Sequence, residues 1–284
     1  MAFLFTLAFR MISSSANNPI GVFDSGIGGL TVAAAMHQIL PNEQLIYFGD
    51  TAHLPYGDKS PDNIKEFAKY ISAFLLERNC KVIVIACNTA SAIAYQTVKN
   101  EVKNKALVIN VIDPVIDEVI KNGKSRHVGI IGTKGTIKSG AYSKRIKKLS
   151  SKVKVSSMAT PLLAPMIEEG FYNNKISRTI ISDYLSRPYL TGIDALVLAC
   201  THYPLIKSEI VQHYKNKIHI YDSANIVAQY VKEMMLKNQL ISTVKPKKHK
   251  FYVSDYTTSF AASASRFFKD SIQLELYDLW NYKK

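Results

Sequence analysis

Residues 82–91 read VIVIACNTAS, an apolar run that ends at a cysteine and continues into small polar residues. Further along the chain, residues 195–204 read ALVLACTHYP and repeat this arrangement. A short, uninterrupted apolar run is typical of a strand that is buried on both faces, as in a parallel sheet covered by helices. The two stretches therefore predict two buried parallel strands, each of which ends at a thiol.

Working outward from these two stretches, short apolar runs alternate with longer segments of helical period. The predicted strands cover residues 20–23, 45–49, 82–86, 107–111, 128–132, 195–199, 218–221 and 250–253. The predicted helices include residues 30–40, 61–78, 91–103 and 224–240. Strands that alternate with helices predict the α/β class, with open, doubly wound, parallel-rich sheets.

The sequence also carries a weak internal repeat. Aligning Cys87 with Cys200 matches the apolar residues before them, and upstream IGVFDSGIGG (20–29) resembles VGIIGTKGTI (128–137) at a similar spacing. Two similarities in the same order predict two similar α/β domains that face each other across a cleft. We expect the first domain to comprise residues 19–112 and 222–284, and the second residues 113–221.

The N-terminus is a separate question. Residues 1–18 contain an apolar run that is followed, not preceded, by Arg10, whereas a signal peptide has its basic residues first. We interpret residues 1–18 as an extension outside the domains, with Met11 as an alternative start. A weak anchor or export signal is the alternative interpretation.

The cysteine content indicates the redox state of the compartment in which the protein resides. The 284-residue chain has three cysteines, an odd and small number that argues against a disulfide framework and favours a reducing, cytoplasmic setting. No CxxC pair is present, so no structural zinc site is predicted. No stretch approaches the roughly 20 apolar residues of a membrane span.

The net charge of +14 is unevenly distributed. The segment from Lys121 to Lys154 is rich in lysine and arginine and contains no acid, and residues 245–250 read KPKKHK. One interpretation is a surface that binds nucleic acid or a membrane. We favour solvated helix faces instead, because Tyr142 is the only aromatic residue in the long basic segment and single-strand binders interleave aromatic residues.

Candidate ligand-binding residues follow several of the predicted strands. In open α/β sheets, ligands bind beyond the carboxyl ends of the strands. Asp24 and Ser25 stand at such an end, followed by glycines, and residues 50–57 follow another strand. A single buried cysteine is more often a packing residue, which is our interpretation of Cys80.

Two thiols in two similar domains suit one chemistry in particular. A cysteine protease needs one cysteine with a histidine base, and a metal site needs more ligands. Two thiols on opposite sides of a cleft suit proton removal from one face of a carbon and proton delivery to the other, which inverts a stereocentre. A thiol pKa of about 8.5 keeps both protonation states accessible near neutral pH.

Six motifs in order give the chain a family resemblance. They are FDSGIGGLTV (23–32), FGDTAHLPYGDKS (48–60), ACNTAS (86–91), IGTKGTIKSGAY (131–142), PLLAPMIEEG (161–170) and LACTHYPLI (198–206). Together they resemble the glutamate racemases over residues 19–268. The related aspartate racemases share the first cysteine motif, but their second motif resembles CTE rather than CTHYP.

The resemblance implies an isomerase that interconverts L-glutamate and D-glutamate without pyridoxal phosphate, metal or other cofactor. It implies a cytoplasmic enzyme that supplies D-glutamate for peptidoglycan, as a homodimer or a monomer–dimer mixture. Racemisation of another amino acid, such as aspartate, is the closer alternative. A basic nucleic-acid-binding protein is the more distant one.

The resemblance also implies roles for individual residues. Cys87 matches the base that takes the proton from D-glutamate, and Cys200 the base that takes it from L-glutamate. Glu168 matches an acid near the site. The implied substrate-binding residues are Asp24, Ser25, Tyr56, Gly57, Asn88, Thr89, Thr133, Thr136, Thr201 and His202.

Two residues depart from the family pattern, and two others are expected to control the protonation of the cysteines. His53 stands where many members have arginine, and Thr160 stands where a cysteine is expected. Asp24 is expected to govern the protonation of Cys87, and His202 that of Cys200. Asp24→Asn should then mainly slow the D-to-L direction, and His202→Asn the L-to-D direction.

Overall fold

The computed structural model describes residues 14–268 and 270–281. Its strands are β1 (Ile20–Asp24), β2 (Leu45–Gly49), β3 (Val82–Ile85), β4 (Leu107–Asn110), β5 (His127–Gly132), β6 (Lys154–Ala159), β7 (Ala195–Ala199), β8 (His219–Asp222), β9 (Lys250–Val253) and β10 (Leu274–Leu276). Its α-helices are α1 (Leu30–Ile39), α2 (Pro61–Glu77), α3 (Asn88–Val102), α4 (Ile112–Asn122), α5 (Lys134–Ser139), α6 (Ala141–Leu149), α7 (Leu163–Glu168), α8 (Lys175–Leu185), α9 (Lys207–His213), α10 (Ser223–Lys237) and α11 (Thr258–Phe268).

The strands form two sheets. A six-stranded sheet has the order β10-β9-β2-β1-β3-β4, and a four-stranded sheet has the order β6-β5-β7-β8. Every neighbouring pair is parallel. The run β2-β1-β3-β4 has the same arrangement as β6-β5-β7-β8, so the weak sequence repeat corresponds to two copies of one topology. The predicted α/β class with two parallel sheets is confirmed.

Strand β3 shows why its sequence is apolar without interruption. Val82 and Val84 belong to one hydrophobic cluster, whereas Ile83 and Ile85 belong to another on the opposite face of the sheet. Successive side chains of a strand point to opposite faces, so a strand covered on both sides needs apolar residues at every position. The same alternation holds for β7, whose five residues are all buried.

All eight predicted strands are present, with ends that differ from the prediction by one residue or not at all, but two strands were missed. Strand β6, KVSSMA, and strand β10, LEL, each lie at the edge of a sheet and have exposed or half-buried positions. An edge strand is exposed along one side and tolerates polar residues, so neither segment carries the apolar run that marks a central strand.

One helix begins earlier than predicted, at a place that matters for the site. Helix α3 starts at Asn88 rather than Ser91, because Cys87 is its N-cap and the Cys87 sulfur accepts a hydrogen bond from the Ala90 N–H. The expected apolar pattern does not reach this first turn, whose residues are small and polar. The polar residues after Cys87 therefore belong to the helix itself.

The chain returns to the six-stranded sheet at its end. Helix α10 packs against α1, and strand β9 pairs with β2 while β10 pairs with β9. One hydrophobic cluster includes residues of both sheets, among them Val84 of β3 and Leu198 of β7. The domain limits given above remain a prediction.

Most of the predicted N-terminal extension, residues 1–13, lies outside the described residues. Ala16, within residues 14–18, has a carbonyl that accepts a hydrogen bond from the buried Lys81 ammonium group, which also pairs with Glu43 at 2.5 Å. None of the helices in the described part of the chain has the length and hydropathy needed to cross a bilayer.

Candidate active site

Cys87 lies at the carboxyl end of β3, and it is buried. Its thiol lies 3.7 Å from the Ser25 Oγ, to which it donates, and its sulfur accepts from the Ala90 N–H at 3.4 Å. Burial is the largest influence on its pKa, followed by the nearby carboxylate of Asp24, and together they raise the pKa of the Cys87 thiol to about 12. Cys200 also raises this pKa, so the two sulfurs are within electrostatic reach of each other. With this pKa, Cys87 is a neutral thiol at neutral pH.

Cys200 lies at the equivalent end of β7, but its neighbours are different. Its sulfur lies 3.6 Å from Nδ1 of His202, and Nε2 of His202 lies 2.7 Å from the Glu168 carboxylate. Burial lowers the pKa of His202, yet the hydrogen bonds to Cys200 and Glu168 outweigh burial and raise that pKa well above its ordinary value. The structure thus aligns a thiol, an imidazole and a carboxylate.

Asp24 connects the two sheets from the end of β1. Its carboxylate is fully buried; it accepts a hydrogen bond from the Gly26 N–H at 3.0 Å and one from the Thr201 hydroxyl at 3.4 Å. Burial raises the pKa of Asp24, and the nearby His202 opposes that rise. Asp24 therefore lies in the electrostatic environment of both cysteine motifs.

Gly28 permits close contact between the loop after β1 and the motif that follows Cys200. A Cβ atom at this position would lie 2.5 Å from the Thr201 hydroxyl oxygen and would also collide with the His202 ring. Only a residue without a side chain lets the backbone approach this closely. At Gly28 the backbone therefore approaches the side chains of Thr201 and His202.

Three threonine hydroxyls form a triangle between α3 and α5. Thr89 lies 2.8 Å from Thr133 and 3.1 Å from Thr136, and Thr133 lies 3.0 Å from Thr136. Thr133 is also the N-cap of α5 and accepts from the Thr136 N–H. The structure therefore brings these three predicted residues together from both sheets.

Asn88 offers an unused donor at the start of α3. Its side-chain oxygen accepts a hydrogen bond from the Tyr142 hydroxyl at 2.7 Å. Its side-chain nitrogen is buried and has no partner among the described residues. Buried polar groups are nearly always paired, so this amide is a candidate donor to a ligand. Sequence reasoning missed Tyr142 as a site residue, because nothing in the sequence links it to Asn88.

Tyr56 and Gly57, which were predicted together as substrate-binding residues, make different contacts. The Tyr56 hydroxyl donates to the Asp50 carboxylate at 2.6 Å, so this phenol is already occupied. A Cβ atom on Gly57 would lie 2.9 Å from the Thr133 Cβ, and one on Gly135 would lie 2.9 Å from the Thr89 Cγ2. The Gly57 backbone therefore lies directly against the threonine triangle.

Comparison with known proteins shows the family of the chain. The sequence profile described as Asp/Glu/Hydantoin racemase matches residues 20–231, most of the chain. The chain belongs to the Asp/Glu/hydantoin racemase family. The resemblance drawn from the six motifs is thereby confirmed.

Individual racemases resemble the chain over nearly its whole length. The glutamate racemase of Geobacter metallireducens is 41% identical over 249 residues, which cover 87% of this chain and 92% of that protein. A crystal structure of glutamate racemase from Francisella tularensis, in complex with D-glutamate, has a TM-score of 0.88 and 39% identity, covering 94% of this chain and 100% of that chain. A glutamate racemase structure from Bacillus anthracis has a TM-score of 0.85 and 33% identity, covering 93% and 98% of the respective chains.

The two departures from the racemase pattern are accommodated by local partners. Nδ1 of His53 lies 3.0 Å from the Asp50 carboxylate, and its ring stacks on Phe67. The Thr160 hydroxyl lies 2.6 Å from the Tyr203 hydroxyl. Each of these two side chains therefore has a hydrogen-bond partner in this chain.

Cys80 has a packing role, and charged side chains of the basic segment form ion pairs. The sulfur of Cys80 is buried and would lie 3.1 Å from a Cβ added to Gly21, in agreement with a packing role. In the basic segment, Lys134 pairs with Asp58 and Arg145 pairs with Asp113, each through a partly exposed contact. Within the part of the chain that the structure describes, no group of three or more His, Cys, Asp or Glu side chains is arranged to hold a metal ion.

Proposed function

We propose that this chain interconverts L-glutamate and D-glutamate by transferring protons between the substrate α-carbon and two thiols, Cys87 and Cys200. The observation that carries the proposal is the position of these thiols at equivalent strand ends of two sheets with the same topology. Relatives that are about 40% identical over most of the chain and carry the name glutamate racemase support the choice of substrate.

In the L-to-D direction, the Cys200 thiolate removes the α-proton. A C–H bond breaks, an S–H bond forms, and the electron pair stays on carbon. The Cys87 thiol then delivers its proton to the opposite face of that carbon. A pKa of about 12 suits Cys87 for this step, because the group has to be a neutral acid at working pH.

His202 stabilises the base form of Cys200. Its raised pKa makes it an imidazolium near neutral pH, and an imidazolium beside a thiol favours the thiolate. Glu168 holds the ring through Nε2 and supplies the negative charge that sustains the imidazolium. The three groups together place a cation beside the Cys200 sulfur in a buried site.

The reverse direction needs Cys87 as the thiolate. The ammonium group of a bound substrate brings a positive charge next to Asp24 and Cys87, and a nearby positive charge lowers the pKa of a thiol. Asp24 is the anion that receives this ammonium group and couples its arrival to the ionisation of Cys87. Substrate binding thereby prepares the thiol that burial and Asp24 otherwise keep neutral.

The remaining polar groups bind the carboxylates and stabilise charge that develops on the substrate. The Asn88 side-chain nitrogen, the N–H groups at the start of α3 and the threonine triangle are donors suited to carboxylate oxygens. Donors fixed by the fold before the substrate arrives stabilise a carbanion-like transition state without reorganisation. Ser25, Thr201 and the Gly57 backbone complete the proposed substrate contacts.

Several broader features belong to the same proposal. The reaction needs no cofactor or metal, and it provides D-glutamate for peptidoglycan in the cytoplasm. The enzyme forms a homodimer or a monomer–dimer mixture and does not use nucleic acid or a membrane as a partner. Its domains comprise residues 19–112 with 222–284, and residues 113–221.

The test is to incubate the purified protein with L-glutamate in heavy water, with a chelator and without added pyridoxal phosphate. We expect optical rotation to fall to zero and deuterium to enter the α-position, as followed by polarimetry and proton NMR. L-aspartate in a parallel reaction distinguishes the closer alternative. Absence of exchange with both amino acids, or faster exchange with aspartate, would contradict the proposal.

A further inference from the structure

Asp50, just after β2, is a buried carboxylate with an unusual number of side-chain partners. One oxygen accepts from the Tyr56 hydroxyl at 2.6 Å and lies 3.0 Å from Nδ1 of His53. The other oxygen accepts from the Ser254 hydroxyl at 2.7 Å and from the Trp280 indole N–H at 2.9 Å. A carboxylate has about four lone-pair positions, so these four groups nearly fill its hydrogen-bonding capacity.

The first of these partners belongs to the loop that lies beside the proposed substrate site. Tyr56 begins a 3₁₀ turn, Tyr56–Asp58, and its ring is buried. The next residue, Gly57, packs its backbone against Thr133, the N-cap of α5, which follows β5 of the four-stranded sheet. The position of Asp50 therefore fixes one wall of the site through Tyr56.

The last of these partners comes from the opposite end of the chain. Trp280 follows the edge strand β10 and is 230 residues from Asp50 in sequence. Its ring packs edge-on against His53 and Phe67, with centroid distances of 4.6 Å and 5.3 Å. Ring packing and the N–H bond together fix the indole over the Asp50 carboxylate.

We propose that Asp50 and Trp280 are positioning residues for the racemisation, through which the C-terminal segment holds the Tyr56–Gly57 loop in its substrate-binding position. Neither residue touches the reacting atoms. When the indole N–H is removed, one lone pair of a buried carboxylate loses its donor, and Asp50 and the Tyr56 hydroxyl can shift to recover one. The loop then binds substrate less well, whereas the two thiols keep their places.

This inference rests on the proposed function only in its kinetic consequence. The effect on the loop itself is measurable without any turnover. If Trp280 only stabilises the fold, its replacement should lower the melting temperature. Amide hydrogen exchange in the Tyr56–Gly57 loop and KM should then stay unchanged. The experiment therefore combines hydrogen exchange with steady-state kinetics.

The test variant is Trp280→Phe, which retains an aromatic ring and removes the N–H donor. We expect KM for both enantiomers to rise about five- to tenfold, with kcat within about twofold of wild type; the rise is smaller than the full value of a hydrogen bond to a charged group because Trp280 acts on the loop through Asp50 and Tyr56. Amide hydrogen exchange of residues 54–59 should become faster. Ser254→Ala, which removes a second donor to the same Asp50 oxygen, should act in the same direction.

Asn281→Ala is the matched control in the same segment. Asn281 is exposed and forms its hydrogen bonds with Asp278, so this change should leave both KM and loop exchange as in wild type. Unchanged loop exchange in Trp280→Phe would overturn the inference, whatever the activity. A wild-type protein that does not racemise glutamate would instead refute the proposed function, while the exchange measurement would still decide the role of Trp280.

Discussion

Cys87 and Cys200 end equivalent strands of two sheets with the same strand order, yet their surroundings differ. Cys87 is the N-cap of the long helix α3, and its sulfur accepts a hydrogen bond from the Ala90 backbone N–H. Cys200 is followed by a 3₁₀ turn, Tyr203–Ile206, and its sulfur faces the His202 imidazole instead. The repeated strands place the thiols symmetrically, and the segments after the strands make them chemically different.

This difference has a local cause in the sequence. After Cys87, the small residues of NTAS allow helix α3 to begin at once. After Cys200, Pro204 lies in the first turn of the 3₁₀ segment, and the longer helix α9 begins only at Lys207. A duplicated scaffold can therefore provide two positions on either side of one carbon while each position acquires its own means of proton control.

The largest effect should come from removing either thiol. Cys87→Ser and Cys200→Ser should each lower kcat in both directions by more than about a thousandfold, because a serine hydroxyl is a far weaker acid and general acid–base groups contribute about 10² to 10⁴ each. Polarimetry with each enantiomer measures the loss.

Cys80→Ala is the control for this pair, since Cys80 is equally buried but packs near Gly21 in the core. It should keep its activity while losing some stability. If one of the two serine variants retained substantial activity in either direction, inversion by two thiols would be wrong.

The next effect is the pH dependence of the reactivity of Cys87. Because burial and Asp24 raise the pKa of Cys87 to about 12, its thiolate fraction at about pH 8 should be lower by about three orders of magnitude than that of an ordinary thiol. The rate of its alkylation by iodoacetamide should rise about tenfold per pH unit from about pH 8 to about pH 10.5 without levelling. Peptide-resolved mass spectrometry measures this rate.

The same peptide labelled in denaturant is the reference for Cys87. There the pKa returns to its ordinary value, so the rate should level off near pH 9. Steric hindrance at the folded thiol lowers the rate at every pH but does not move the point of levelling. Levelling near pH 9 in the folded protein would show that the thiol is not perturbed.

A smaller effect should separate the two directions. The enantiomers have equal free energy in water, so kcat/KM must fall equally in both directions for any variant, and an asymmetry can appear only in kcat and KM separately. We expect His202→Asn to lower kcat about ten- to a hundredfold from L to D and less than about threefold from D to L. Asp24→Asn should show the opposite asymmetry.

Isotope effects provide a second measure of this asymmetry. In His202→Asn, α-deuterated L-glutamate should give a larger primary isotope effect on kcat than α-deuterated D-glutamate, because abstraction by Cys200 has become slower. Equal kcat losses and equal isotope effects in both directions would refute the division of labour between Asp24 and His202.

Sequence reasoning located the centre of the fold and of the site because both depend on local patterns. Strands β3 and β7 are buried on both faces and are apolar throughout, so they could be predicted, whereas the edge strands β6 and β10 could not. The thiols could be predicted as site residues because they follow such strands directly.

The rest of the site depends on contacts that no local pattern encodes. Glu168 reaches His202 from 34 residues away, and sequence reasoning proposed it only through the family resemblance. Tyr142 reaches Asn88 across 54 residues and was not proposed as a site residue at all. Tertiary packing decides which distant side chains meet, so single-sequence patterns do not reveal such pairs.

The smallest of these effects tests whether the loop after β1 must approach the Cys200 motif closely. Gly28→Ala should lower kcat/KM about tenfold, because a methyl group would collide with Thr201 and His202 and overpacking of a tight contact costs about 1 to 3 kcal/mol. Gly26→Ala is the matched control in the same loop, since its Cβ would lie 3.6 Å from the Leu54 Cδ2, an ordinary contact. The activity and melting temperature of both variants are compared with wild type. If Gly28→Ala and Gly26→Ala lower kcat/KM equally, the loss arises from a stiffer loop. The close approach of Gly28 to Thr201 and His202 is then not required for activity.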